Sequence, residues 1–147
     1  MFSVTLDYPD GGRPLQHFDW LRAATSWLDD TGAMLRGDIQ EAAPVRSGRL
    51  ASSIRYERNS AGGATVSGRI GTHVPYAGYV VGGTLPHLIR PVAARSLHWV
   101  SGGQGHFARL VHHPGTRANP FARRAIEEKM DRVRDSYRDA MIEAMRR

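Results

Sequence analysis

The sequence contains no cysteine among its 147 residues. Disulfide bonds, cysteine nucleophiles and cysteine-bearing zinc sites are therefore all excluded. Long apolar runs are also missing, because no stretch approaches the roughly 18 apolar residues that a membrane span needs. The first residues lack the basic and apolar regions of a signal peptide. We therefore expect neither secretion nor insertion into a membrane.

Lysine is almost absent as well, since Lys129 is the only one among 20 basic residues. With 14 acidic residues, the formal net charge is +6. The planar guanidinium of arginine binds phosphate through two parallel hydrogen bonds, so nucleic acid is one partner class to consider. Net charge has little specificity, however, and a GC-rich genome would favour the same composition through its arginine codons. Charge alone leaves the partner open.

Length and composition predict one domain that spans residues 1–147. The mass of 16.3 kDa lies within the usual range of single domains. Hydrophobic residues make up 41% and charged residues 23%, which is typical of folded globular proteins and unlike disordered ones.

Two segments have the hydrophobic period of a helix with one buried face. The first is predicted over residues 15–42, before Pro44, and its apolar positions are Leu21, Ala24, Leu28, Leu35, Ile39 and Ala42. The second is predicted from Pro120 to Arg147, and its apolar positions are Ile126, Met130, Val133, Tyr137, Met141 and Ala144.

The segment between these helices has the alternation and turn signals of short strands. A β-hairpin is predicted from about Leu50 to Gly71, with its loop at Asn59–Gly63, and a single helical turn within Pro75–His87. Short strands are predicted in "HLIRP", "SLHWV" and Phe107–His112, with a flexible loop at "SGGQG". The order predicts an α+β fold, in which an antiparallel β-sheet packs against a long N-terminal and a long C-terminal helix. Leu85–Gly105 is predicted to form an extended loop, which we call the arm.

No pattern of catalytic residues is present. There is no Gly-x-Ser-x-Gly elbow and no His-Glu-x-x-His pair, and most acidic residues follow the two helices. The neighbouring His112 and His113 would point to opposite faces of a strand, so they would not easily share one metal ion. We therefore predict no enzyme, no cofactor and no metal site. The alternative is a metal-dependent enzyme, whose ligands would come from His87, His98, His106 and His113.

Three stretches together carry a resemblance to a known family. They are "APVRSGRLASSI", "PYAGYVVGGTLPHLIRP" and "VHHPGTRANPFARRAI". In this order they resemble the tail-component proteins of long-tailed bacteriophages, the gene-product-ten-like group. Val81 departs from the family pattern, which often has glutamate there. The similarity extends over about residues 33–145.

This resemblance implies a structural virion protein, with a fold consistent with the one predicted from periodicity. It implies a homo-oligomer, a ring often of six copies, at the head–tail junction or the tail end, as a tail completion, connector or terminator component. A closed ring needs an interface in which one patch meets a different patch on the next copy. The implied partners are other neck and tail proteins, and the implied location is the virion, assembled in the host cytoplasm.

The arm and the turn before it supply the candidate interface, since an exposed apolar segment usually marks a partner site. The nominated residues are Tyr76, Tyr79, Val80, Leu85, Pro86, His87, Leu88, Ile89, Trp99 and Phe107. In the alternative, the arm folds back onto its own sheet. Structural turns are assigned to Pro44, Gly48, Gly82, Gly83, His113, Pro114, Gly115 and Pro120, with Phe121 as an anchor into the core.

Four arginines have two candidate roles, and they are Arg90, Arg95, Arg109 and Arg117. Facing the lumen of a ring, they would attract passing DNA without sequence preference. At protein contacts, they would pair with acidic neighbours, and the sequence does not choose between these roles. The alternative function is a sequence-independent nucleic-acid-binding domain, for which no reader motif is present.

Overall fold

The computed structural model describes residues 4–5, 20–62 and 65–146. The elements in chain order are β1 (Val4–Thr5), α1 (Trp20–Ala42), α2 (Arg49–Ser53), β2 (Arg55–Gly62), β3 (Thr65–Gly71), α3 (Ala77–Gly82), β4 (His87–Ile89), β5 (Leu97–Ser101), β6 (Gln104–Ala108), β7 (Val111–His113) and α4 (Phe121–Met145). The strands form three antiparallel sheets, in the orders β1-β3-β2, β4-β7 and β5-β6. The predicted α+β class is confirmed. Among these residues, no helix is both long and apolar enough to span a bilayer.

The chain divides into two compact units. Unit 1 combines Met1–Gly78 with Pro120–Arg147, and unit 2 is Tyr79–Asn119. Unit 1 contains the three-stranded sheet, α1, α2 and α4, whereas unit 2 contains the two two-stranded sheets. The single domain over residues 1–147 stays a prediction.

Helix α1 is the central layer of unit 1, with β2 and β3 on one side and α4 on another. Its buried positions recur at three or four residues, as a helix with a continuous buried stripe requires. They are Ala24, Leu28, Thr31, Gly32, Leu35 and Ile39, with Ala43 just beyond the helix. The predicted stripe is therefore confirmed at Ala24, Leu28, Leu35 and Ile39, and Leu21 is half-buried. Ala42 was wrong, because at the last turn the buried position passes to Ala43 and Ala42 is exposed.

Helix α1 stops before Pro44, which disfavours the helical conformation at the preceding residue. The chain then reverses at Gly48, whose φ of 74° is left-handed, and enters the short helix α2. Here the predicted hairpin start was wrong, since residues 49–53 are helical and the hairpin begins at Arg55. Leu50 of α2 is buried, so this turn adds an apolar side chain to the core.

The predicted alternation along β3 is confirmed, since Val66, Gly68 and Ile70 are buried. Ala64, which was assigned to the same face, lies outside the described residues. Strand β2 continues to Gly62 through a bulge between Arg58 and Ser60. The predicted loop Asn59–Gly63 was therefore too long, because a bulge keeps the strands paired where turn-forming residues suggest a loop.

Helix α4 packs on α1 through its first three turns and its middle. Its buried residues are Phe121, Ala122, Ala125, Ile126 and Val133, while Met130, Tyr137, Met141 and Ala144 are half-buried. Trp27 of α1 joins the two helices, since its indole N–H donates to Ser136 Oγ at 3.0 Å and its ring lies edge-on to Tyr137 at 4.9 Å. An edge-to-face aromatic pair stabilises beyond the area that it buries.

The ring of Tyr56 fits between two glycines, Gly32 of α1 and Gly68 of β3. A Cβ added at either glycine would overlap the ring, at 2.6 Å from Cε2 in the case of Gly68. The Tyr56 hydroxyl donates to Asp29 Oδ1 at 3.0 Å, and Arg58 donates to Oδ2 of the same carboxylate at 2.6 Å. The helix approaches the sheet closely here because neither glycine has a side chain.

Gly32→Ala tests this close approach, with Gly37→Ala as a matched control in the same helix. A Cβ at Gly37 would meet no atom within 4 Å, so alanine should stabilise that site by up to about 1 kcal/mol through helix propensity. At Gly32 the added methyl displaces the Tyr56 ring, and overpacking costs about 1–3 kcal/mol. Urea unfolding should therefore separate the two variants by about that amount. Equal stability of the two would contradict the packing described here.

Tyr56 also predicts a loss of stability at high pH. Burial, then the hydrogen bond and negative charge of Asp29, raise the pKa of Tyr56 from 10.0 to about 12, against the opposing effect of Arg58. Below pH 10 both states keep the phenol proton, so the stabilisation is complete. Between about pH 10 and about pH 12 the unfolded chain releases that proton first, and stability falls as pH rises.

Urea unfolding at about pH 9 and about pH 11 measures this loss, which Tyr56→Phe should reduce relative to the unaltered protein. Tyr79→Phe, at an exposed ring, serves as the control and should keep the full pH dependence. An identical loss in Tyr56→Phe and Tyr79→Phe would show that Tyr56 is not its source.

Candidate functional site

Unit 2 is closed by backbone hydrogen bonds between its two ends. The N–H of Thr84 donates to the Thr116 carbonyl at 2.9 Å, and the N–H of Thr116 donates back to Thr84 at 3.0 Å. One turn earlier, the carbonyl of Val80 accepts from Asn119 N–H at 3.1 Å. These bonds join the stretch that follows α3 to the stretch that precedes α4, which are 32 residues apart at the Thr84–Thr116 bridge.

Two glycines allow this close approach. Gly83 has a φ of 70° and Gly115 a φ of 89°, a conformation that side chains disfavour. A Cβ at Gly83 would meet the Thr116 carbonyl oxygen, and one at Gly115 would meet the Thr84 carbonyl oxygen. The Gly-Gly-Thr and Pro-Gly-Thr runs of the sequence thus pack backbone against backbone.

His113 lies at the end of β7, directly before this junction. Its Nδ1 accepts a hydrogen bond from Gly115 N–H at 3.1 Å, so that nitrogen carries no proton in this arrangement. Its ring stacks on His87 of the paired strand, with centroids 4.9 Å apart. His87 Nδ1 in turn donates to the Leu85 carbonyl at 2.9 Å. Both rings therefore bond to nearby backbone at the corner of the chain.

The β5–β6 hairpin carries an aromatic pair on each face. His98 stacks on Phe107 with centroids 4.6 Å apart, and Trp99 stacks on His106 at 5.4 Å. Gly102 and Gly103, with φ values of 58° and 80°, form the turn. Two left-handed residues match the twist of a two-residue hairpin turn. The flexible loop predicted at "SGGQG" was therefore wrong, as was the strand Phe107–His112, which is divided between β6 and β7.

Unit 2 exposes its large apolar side chains. No residue from Tyr79 to Asn119 is buried, and Phe107 is 72% exposed. The exposed large apolar residues of unit 2 are Tyr79, Leu85, Leu88, Val92, Trp99, Val100, Phe107 and Leu110. A two-stranded hairpin is marginally stable in water unless another surface covers it. This surface therefore has the character of a docking site.

The nominated interface residues fall mostly on this surface. Tyr79, Leu85, Pro86, His87, Leu88, Trp99 and Phe107 are exposed, while Val80 and Ile89 are half-buried. Tyr76 is exposed but belongs to unit 1. Val92, Val100 and Leu110 were missed, because an apolar residue in a strand signals a core position until its neighbours are known. The arm holds β4, β5 and the start of β6, so it is less irregular than predicted.

The nominated turn residues occupy ends of elements. Pro44 follows α1, Gly48 precedes α2, Gly82 ends α3 and Gly83 follows it, and Pro120 precedes α4. Pro114, after His113, is exposed. Phe121 is fully buried at the start of α4, with 0% of its surface exposed.

The charge of unit 2 is entirely positive. Arg90, Arg95, Arg109 and Arg117 are exposed, and unit 2 has five histidines but no aspartate or glutamate. Intramolecular ion pairs within unit 2 are therefore excluded. Over the ranges 4–5, 20–62 and 65–146, no cluster of three or more metal-ligating side chains is present.

Unit 1 contains a second concave surface, which we call the α1–α4 groove. It has a volume of about 630 Å³ and is lined by Arg22, Ala23, Ser26, Trp27, Asp30, Thr31, Met34, Arg132, Ser136, Ala140, Glu143 and Ala144. Small and apolar side chains alternate with charged ones at its edges. Such a groove can receive an apolar side chain without burying an isolated charge.

The fold and these surfaces define an α+β protein built for contacts with other macromolecules. Comparison with known families gives the second step: residues 15–81 match the family described as "Bacteriophage HK97-gp10, putative tail-component". The resemblance seen in the sequence is confirmed over this range, which carries α1, α2, the β2–β3 hairpin and most of α3. The match indicates a structural component of a phage tail. No curated protein and no solved structure has significant similarity to the chain.

Gly83→Ala tests the backbone junction, with Gly82→Ala as its neighbour and control. The Gly83 methyl would meet the Thr116 oxygen, and the left-handed φ would cost a further 1–2 kcal/mol or so. At Gly82 no atom lies within 4 Å of an added Cβ, and its φ is not positive. Hydrogen exchange of the Thr84 and Thr116 amides should accelerate about tenfold or more in Gly83→Ala alone. Equal exchange in both variants would contradict the junction.

Proposed function

We propose that this protein is a non-enzymatic structural protein of a tailed phage virion. It forms a ring, in our proposal a hexamer, at the head–tail junction or the tail end. The family match over residues 15–81 supports a tail component. The ring, its position and its copy number are our inference.

The observation that carries this proposal is the exposed, uncovered β5–β6 hairpin. Its Phe107 and Val100 are largely in solvent, and Trp99 is 41% exposed. Exposing these side chains is unfavourable, since burial of apolar surface contributes about 25 cal/mol per Å². Contact with a neighbouring subunit would bury them. A patch that meets a different patch on the next copy generates a ring when the rotation closes.

The acid-free charge of unit 2 favours one alternative, a sequence-independent contact with DNA. Exposed arginines would neutralise phosphates and release counterions, so affinity would fall steeply with salt. Aromatic rings on the hairpin could stack on unpaired bases. Both of these aromatic faces already contain stacked histidine partners, so we favour protein contacts as the main role.

The mass of the particle tests the proposed function. Light scattering and negative-stain imaging would be applied to the purified protein, alone and with tail-tube or neck proteins. We expect a ring in at least one of these conditions. Phe107→Ser should weaken assembly at least tenfold, because aromatic anchors dominate interface energies. Val45→Ser, at an apolar side chain of unit 1 that is 76% exposed, is the control and should assemble normally.

A protein that stays monomeric under every one of these conditions would overturn the ring. Salt-dependent DNA binding by that monomer would support the alternative instead. Assembly that Phe107→Ser and Val45→Ser leave equally intact would retain the ring but remove the hairpin from its interface.

A further inference from the structure

The β5–β6 hairpin needs an occupant for both its apolar faces and its surrounding charge. Arg95 lies just before β5 and Arg109 just after β6, so both flank the base of the hairpin. The matching surface must be apolar at its centre and acidic at its edge. Resting on the proposed ring, we propose that the hairpin of one copy binds the α1–α4 groove of the next copy.

The groove has the apolar centre that the hairpin requires. Ala23, Ala140 and Ala144 line it with small side chains beside Trp27 and Met34. The hydrogen bond to Ser136 and the contact with Tyr137 fix the Trp27 indole, so part of this surface is rigid before binding. A preorganised surface loses less conformational entropy on association. An aromatic side chain such as Phe107 would gain burial there.

The outer edge of the groove is acidic. On α4, acidic residues recur every four positions, and this acidic row consists of Glu127, Asp131, Asp135, Asp139 and Glu143. Positions four apart are neighbours on a helix, so the row is continuous and ends at Glu143 on the groove. Like charges at this spacing destabilise a helix by about 0.2–0.5 kcal/mol per pair.

Cations of α4 itself offset this repulsion only in part. Arg123 pairs with Glu127, Arg134 with Asp131 and Arg138 with Asp135, all at exposed positions. For Asp139 the corresponding position three residues later is Ile142. Asp139 has no ion-pair partner within the part of the chain that the structure describes. An arriving cation would therefore find an uncompensated carboxylate beside the groove.

Charge identifies the occupant as a second copy of this chain. All 14 acidic residues lie outside unit 2, which carries four arginines. One chain thus has a basic, apolar hairpin and an acidic-edged apolar groove, the two different patches that a head-to-tail contact requires. Opposite charges at the edge would set the register, and burial of Phe107 would supply most of the affinity.

A charge exchange tests this pairing in the full chain. Arg95→Glu with Arg109→Glu should weaken ring formation at least tenfold, and adding Asp135→Arg with Asp139→Arg should recover at least tenfold. The control combination replaces the last two by Glu41→Arg and Glu57→Arg, two exposed acids away from α4. It changes the net charge identically and should not restore the ring.

Cross-linking tests the location independently, because the chain has no cysteine of its own. Phe107→Cys and Ala140→Cys are prepared as separate proteins, mixed and treated with a short bismaleimide. We expect a covalent dimer of the two variants, and little of it when Glu41→Cys replaces Ala140→Cys.

The outcomes separate this inference from the proposed function. A wild-type ring with neither charge rescue nor the Phe107–Ala140 cross-link would overturn the groove as the binding surface and leave the ring intact. Hairpin cysteines that react only with another tail or neck protein, or that DNA protects, would overturn the second copy as occupant. No ring in any condition would overturn both proposals.

Discussion

The burial of α1 on two sides is the constraint on which unit 1 depends. One side must fit the sheet and another must fit α4, so little of the helix can carry large polar groups. Where α1 meets the sheet, Gly32 and Gly68 leave space for the Tyr56 ring, whose hydroxyl reaches Asp29. Where α1 meets α4, Trp27 bonds to Ser136. Small residues and single hydrogen-bonded aromatics therefore position the layers.

Unit 2 follows a different principle. It has no buried side chain, and backbone bonds between Thr84 and Thr116 join its ends where Gly83 and Gly115 permit contact. A segment held in this way can leave its apolar side chains on the surface, because its closure does not depend on burying them. The same chain thus separates a well-packed unit from one whose exposed faces suit binding to a partner.

Much of unit 1 could be predicted from periodicity. The α1 stripe, the β3 alternation and the length of α4 agree with the sequence pattern, because each reflects one buried face on one element. Unit 2 was predicted less well, since a strand there has no buried face and "SGGQG" gives the signals of both a loop and a hairpin turn. The choice depended on pairing between β5 and β6, which no local pattern records.

The sequence by itself determined the class of fold, the family resemblance and the acid-free segment that became unit 2. These follow from residue types and their order, which do not depend on how the chain folds. Only the tertiary structure decided that α1 is the central layer, that Thr84 pairs with Thr116, and that Phe107 faces solvent. Each of these is a contact, or the lack of one, between residues far apart in the chain. Spacing along a sequence cannot specify such contacts.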